Sequence, residues 1–145
     1  MRSEQSNWYM TDGWTHVTPE EIGRREDKPG RRWELSPELE IDAFNLNVAV
    51  LEPGERLSEN HFHYHDDQQE VVYVADGTCR VEVDEGGFDA TADDVVRFDA
   101  GRDGAHLIHN PFDEPVRLVA MGWPPEGRHP VHKIATLDEL DGGDV

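Results

Sequence analysis

An all-β sandwich or barrel is the fold class that the sequence predicts. Apolar and polar residues alternate in many short segments, Gly, Asp and Pro clusters punctuate them, and no convincing helical period lies between. Chains with many short strands hide their sheet edges by packing two sheets together or by closing a barrel. At 145 residues the chain is long enough to bury a real core as one domain.

Taken in order, residues 1–40 read as an N-terminal arm, 41–123 as the barrel and 124–145 as a C-terminal extension. The first dozen residues are polar around Trp8 and Tyr9 and are expected to be a loose arm. Residues 14–17 read as a short strand, and Thr18-Pro19-Glu20-Glu21 as a helix start with proline at its first position. Arg24, Arg25, Lys28, Arg31 and Arg32 gather basic charge around the turn Pro29-Gly30. A solvated loop pairing with nearby acids is the preferred reading, and an anion-binding or docking patch is the minor one.

From Arg32 onward the pattern is that of strands. Within 40–51, Phe44, Leu46, Val48 and Val50 share a face, with Asn45 and Asn47 opposite. The asparagines lie either on an exposed face or in the lumen, where they could hydrogen-bond a ligand. Further strands are expected at 61–65, 70–74, 78–83, 95–98, 106–109 and 115–123, with tight hairpin turns at Asp76-Gly77 and Glu85-Gly86-Gly87. Pro124-Pro125 then breaks the sheet. His129 and His132 read as exposed tail histidines, with closure over the pocket as the minor reading, before a short helical candidate at 136–140 and a frayed end.

Composition speaks mainly about solvent and partners. Thirteen Lys and Arg face 32 Asp and Glu, for a net charge of −19. Such a surface repels nucleic acid phosphates and anionic lipid, so neither partner is expected. Acidic and lysine-poor, the chain looks like a protein of a salt-loving organism, where salt screens its self-repulsion, and an acidic mesophile protein is the bland alternative. The single Cys79 excludes an intrachain disulfide and reads as a small buried hydrophobe. With no apolar leader and no run of membrane-spanning length, a soluble cytoplasmic protein is expected.

Chemistry concentrates in residues 54–77, GERLSENHFHYHDDQQEVVYVADG. His61, His63 and His65 fall at every second position, so one strand face carries all three. Glu70 follows after the polar turn residues Asp66, Asp67, Gln68 and Gln69, and opens the next strand. Imidazoles and a carboxylate gathered on the inward faces of two adjacent strands suit a divalent transition metal. The bland alternative is a polar sheet face that titrates near neutral pH. His106, in Ala105-His106-Leu107-Ile108-His109-Asn110, offers a further imidazole, while His109 falls on the opposite face of a regular strand.

These residues resemble the cupin superfamily. Its first motif is matched by Gly54, the pair His63 and His65, four residues, Glu70, six residues and Gly77; the loop after Gly54 is longer than usual. The second keeps its HxxxN part as His106 and Asn110, with Asp99 where a proline is normal and two extra residues between Gly101 and His106. The resemblance implies a double-stranded β-helix (a jelly-roll barrel) with His63, His65, Glu70 and His106 as metal ligands. Three imidazoles and one carboxylate suit Fe, Mn, Ni, Cu, Co or Zn and discriminate little among them. His61 is an alternative ligand or an inward neighbour of the site, and Val72, Val74 and Phe98 would line an apolar wall. The resemblance further implies a small-molecule ligand in the barrel and a homodimer. The leading expectation is a metalloenzyme on a small organic substrate, dioxygenase-like or sugar isomerase-like. The alternative is a non-catalytic metal- or small-molecule-binding cupin, and a third reading is an interaction module with vestigial histidines.

Overall fold

The computed structural model describes residues 9–11, 13–23, 30–58, 62–128 and 131–134. Its strands are β1 (Tyr9–Thr11), β2 (Trp14–His16), β3 (Arg31–Glu34), β4 (Asn45–Leu51), β5 (Phe62–His65), β6 (Gln69–Asp76), β7 (Thr78–Glu82), β8 (Phe88–Thr91), β9 (Val95–Phe98), β10 (Leu107–His109), β11 (Val116–Trp123) and β12 (Val131–Ile134). Five form one antiparallel sheet in the order β3-β4-β11-β6-β9. Against it lie β10-β7-β8 and the pair β12-β5. His63 and His106 join these last two groups by exchanging backbone hydrogen bonds of 3.0 and 3.1 Å.

Period-two alternation decides what each strand contributes inside. Leu51, Val72, Val74, Phe98, Val116 and Leu118 of the five-stranded sheet pack with Cys79, Val81, Ala90 and Ile108 of the facing strands in one buried cluster. Burial of each Val, Leu or Ile side chain here is worth roughly 1.5–3 kcal/mol. The apolar cluster fills one part of the interior and leaves polar residues to line the rest.

Two connections differ from the sequence reading. Asp76-Gly77 is no hairpin turn, because β6 pairs with β11 and β9 whereas β7 pairs with β10 and β8. Gly77 instead turns a corner between sheets at φ +86°, where a Cβ would come within 2.4 Å of the Pro115 carbonyl. Residues 66–68 likewise carry the chain from β5 in one sheet to β6 in the other. The candidate ligands on β5 and β6 therefore come from different sheets rather than from paired neighbours. Glu85-Gly86-Gly87 does close a hairpin between β7 and β8, with the Gly86 amide donating to Val83 at 3.0 Å.

One short helix, α1 (Leu35–Leu39), escaped the sequence reading because five residues show no period. Ser36 pins it to β4: its hydroxyl accepts from the Leu46 amide at 2.7 Å and donates to the Phe44 carbonyl at 2.8 Å. The helical candidate at 136–140 lies outside the described residues, as do Arg24, Arg25 and Lys28. Among the described residues no helix is long and apolar enough to cross a membrane.

Asn110, fully buried, is a bracket rather than part of a pocket. Its amide nitrogen donates to the Leu51 and Glu114 carbonyls at 3.0 and 2.7 Å, and its oxygen accepts from the Phe112 amide at 3.0 Å. Asn110→Ala strands these groups at about 1–3 kcal/mol each where water cannot reach. We expect urea unfolding to report a loss of about 2–4 kcal/mol. A loss below about 0.5 kcal/mol, the usual range for a featureless surface site, would contradict this role.

Candidate metal centre

Strand β5 turns His63 and His65 inward, with Phe62 and Tyr64 on its other face. Glu70 projects from β6 into a cross-sheet row that reads Asn45, Gly122, Glu70, Phe98 over β4, β11, β6 and β9. His106 precedes β10 on the same face as Ile108 and Val81. Sheet pairing thus brings four side chains from three segments to one point.

That point is a single oxygen. Glu70 Oε1 lies 3.5 Å from His63 Nε2, 3.6 Å from His65 Nε2 and 3.6 Å from His106 Nε2. Ligand atoms of His63, Glu70 and His106 all fall within 4.8 Å of one another. These separations are long for hydrogen bonds. They approach the spacing of atoms that share one ion at about 2.0–2.2 Å each. The donor set fits a divalent transition metal.

Burial sets the charge states. At 2% exposure His106 is pushed down to about 3, first by burial and then by the charge of His63, against opposing pulls from Glu70 and the Gly104 carbonyl. It therefore offers a neutral imidazole, as metal binding requires. Its Nδ1 donates to the Gly104 carbonyl at 2.7 Å, which fixes the proton there and leaves the Nε2 lone pair facing Glu70. Phe98 stacks on the same ring at a centroid distance of 3.5 Å and 11°. Burial favours a protonated Glu70, but the nearby His63 and His65 Nε2 atoms, at 3.5 and 3.6 Å, and the charges of His106 and His63 outweigh it. The carboxyl is held well below its usual 4.5.

The family model for the cupin domain matches residues 47–122, just over half of the chain. The chain belongs to the cupin family. This cupin is 36% identical over 74 residues to polyketide synthase CurC of Streptomyces cyaneus, a match covering 51% of this chain and 45% of that protein. It spans about half the length of the curated relatives it matches. Among solved structures it is similar to a sugar phosphate isomerase of Silicibacter pomeroyi at 26% identity, with a TM-score of 0.68 over 81% of this chain and 80% of that one. It is similar in fold to the polyketide cyclase RemF of Streptomyces resistomycificus at 17% identity, with a TM-score of 0.68 over 88% and 92%.

Other residues singled out in the sequence fall into place around the four. Asn45 and Asn47 share the inward face with Glu70 and Val72, through register positions at Gly122 and Ala120. Val72, Val74 and Phe98 all belong to the buried cluster; Val74, with no exposure, lies against Leu118 deeper in the packed core. His61 and His129 lie outside the described residues. His109 turns to the other face and meets Glu82 at 3.0 Å. His132 is not a tail residue: β12 pairs with β5, and His132 stacks on Tyr64 at 4.7 Å and contacts Asp66 at 3.0 Å.

Sequence reasoning missed two contributors beside this cupin site. Gly104, which holds His106, lies in the stretch between Gly101 and His106 that is two residues longer than the motif's; a Cβ there would lie 1.9 Å from the Asp99 carbonyl. Gln68, 4% exposed, was read only as a turn residue. Its carboxamide covers Gly122, within 2.7–3.0 Å of where a Cβ would stand, and donates to the Pro124 carbonyl at 3.1 Å. Only a glycine partner in the next strand admits it, and strand pairing is not written in the local sequence.

Proposed function

We propose that this cupin holds one divalent transition metal ion on His63, His65, Glu70 and His106 and enolises a small carbonyl compound in the barrel, the proton beside the carbonyl leaving to solvent water and the C–H electron pair moving onto the carbonyl oxygen. The observation that carries the reading is the convergence of three imidazole Nε2 atoms on one carboxylate oxygen at 3.5–3.6 Å. A held ion would supply a Lewis acid that polarises the substrate carbonyl. Around it the chain supplies imidazoles, the negative charge of Glu70, and the buried apolar side chains of Val72 and Phe98. Asn45 and Asn47, on the same inward face, offer amides to orient substrate oxygens.

Support for carbonyl chemistry comes from the names of two similar proteins, a polyketide synthase and a sugar phosphate isomerase. Polyketide chains and sugar phosphates both carry acidic C–H bonds beside a carbonyl, so one electrophilic site serves either.

Elemental analysis of wild type and a His63→Ala/His65→Ala double variant tests the reading. We expect near-stoichiometric metal in the wild type and at least about tenfold less in the variant, in line with the affinity lost when a metal site is disturbed. Solvent deuterium should also exchange into the C–H beside the carbonyl of a ketose phosphate or a β-keto thioester, in wild type alone. No metal in the wild type, before or after reconstitution, would sink the metal reading. Metal without exchange would leave a metal-binding cupin that does no enolisation.

A further inference from the structure

The candidate ligands are not equally well held. His63 and His106 present Nε2 to Glu70 Oε1 at nearly the same distance, 3.5 and 3.6 Å. Their far sides differ. His106 Nδ1 lies 2.7 Å from the Gly104 carbonyl, and Phe98 clamps the ring face. Among the described residues, His63 Nδ1 is buried with no hydrogen-bond partner. Its ring touches only other imidazoles among the described ring contacts, His106 at 4.5 Å and His65 at 5.4 Å.

The contrast has a chemical consequence for binding an ion. His106 already carries its proton on Nδ1, so its Nε2 lone pair is available without rearrangement. In His63 the opposite tautomer is favoured: a proton on Nε2 points at the Glu70 carboxylate, and Nδ1 is then an acceptor rather than a stranded donor. To ligate through Nε2, His63 must move that proton to Nδ1, where no described residue accepts it. A buried donor without an acceptor is the costly case.

Resting on the metal reading above, we infer that His63 is the exchangeable ligand, which yields to an incoming oxygen donor of the substrate, while His106 is the anchor. Partners on the outer nitrogen of a ligating histidine are worth about 10–100-fold in metal affinity, so His63 holds more weakly by about that factor. A substrate with two neighbouring oxygens, as in an enediol or a 1,3-dicarbonyl, could then take both an open position and the one His63 gives up.

Zinc and acetohydroxamate, a chelator with two oxygen donors, are the probes. Long-range nitrogen–proton NMR of the histidine rings is recorded on the zinc-loaded full chain. Acetohydroxamate should return His63 to its Nε2–H tautomer and leave His106 ligated. Release of His106, or both rings staying ligated, would overturn the inference while the metal site stands. Chelator competition gives a second reading: His63→Gln should cost zinc affinity less than about tenfold and His106→Gln about 100-fold. Equal or reversed losses would overturn it too, and the wild-type spectra decide should His106→Gln not fold. Failure of the wild type to take up zinc would remove the metal reading itself, a distinguishable result.

Discussion

Replacing Glu70 with Gln is expected to lower divalent metal affinity by about 150- to 5,000-fold, the scale of about 3–5 kcal/mol for removing one member of a buried charge pair. One oxygen of this residue is the common neighbour of all three imidazoles. It is also the negative charge at the centre of the site, kept ionised against its own burial by the histidines around it. Gln is nearly the same shape, so the row Asn45, Gly122, Glu70, Phe98 keeps its packing and the variant tests charge more than volume. A chelator competition titration of wild type and Glu70→Gln with zinc measures the loss. Affinity within tenfold of wild type would mean that the imidazoles hold the ion without the carboxylate, and the four-ligand reading would be wrong.

Glu70 and the histidines were legible in the sequence because a strand's period of two is exact. Once residues 63–65 are extended, His63 and His65 must share a face, and the alternation through Val72 and Val74 places Glu70 inward. Pairing is not so written. Asp76-Gly77 has the composition of a hairpin turn and serves as a corner between sheets, because both uses need a positive φ and a short polar side chain. Which one results depends on whether β7 finds β6 or β10, and the partner of its Val81 is Ile108, far along the chain. Strand β12 was hidden for a related reason. Val131–Ile134 has only four residues after a proline-rich run, and its stability comes from the edge of β5 rather than from its own pattern. The site residues that escaped, Gly104 and Gln68, matter through a carbonyl position and a space left empty on a neighbouring strand, and neither leaves a local signature.

The metal-free protein is expected to lose stability as pH falls below about 6.5, the ordinary value for a histidine. The cause is His106, whose folded-state value is pushed down to about 3, chiefly by burial. Between these two values the unfolded chain takes up a proton that the folded chain refuses. The stability is therefore fully present above 6.5 and is lost as pH falls toward 3, at about 1.4 kcal/mol for each unit of pH. Glu70 acts in the same direction at lower pH, since its carboxyl is held below 4.5 and must be protonated for the chain to unfold in acid. The net charge of −19 pulls the other way, because acid relieves repulsion among surface carboxylates. Molar potassium chloride separates the two, since the Debye length there is about 3 Å and surface repulsion is screened while a buried imidazole is not. Urea midpoints across this range should fall with pH in wild type and fall much less in His106→Gln. Zinc should raise the wild-type curve at neutral pH and lose that effect in acid, as protons compete for the same nitrogens. A wild-type curve that stays flat from pH 7 to 5 in high salt would show that His106 gains its proton without cost, and that the site is wetter than its burial implies.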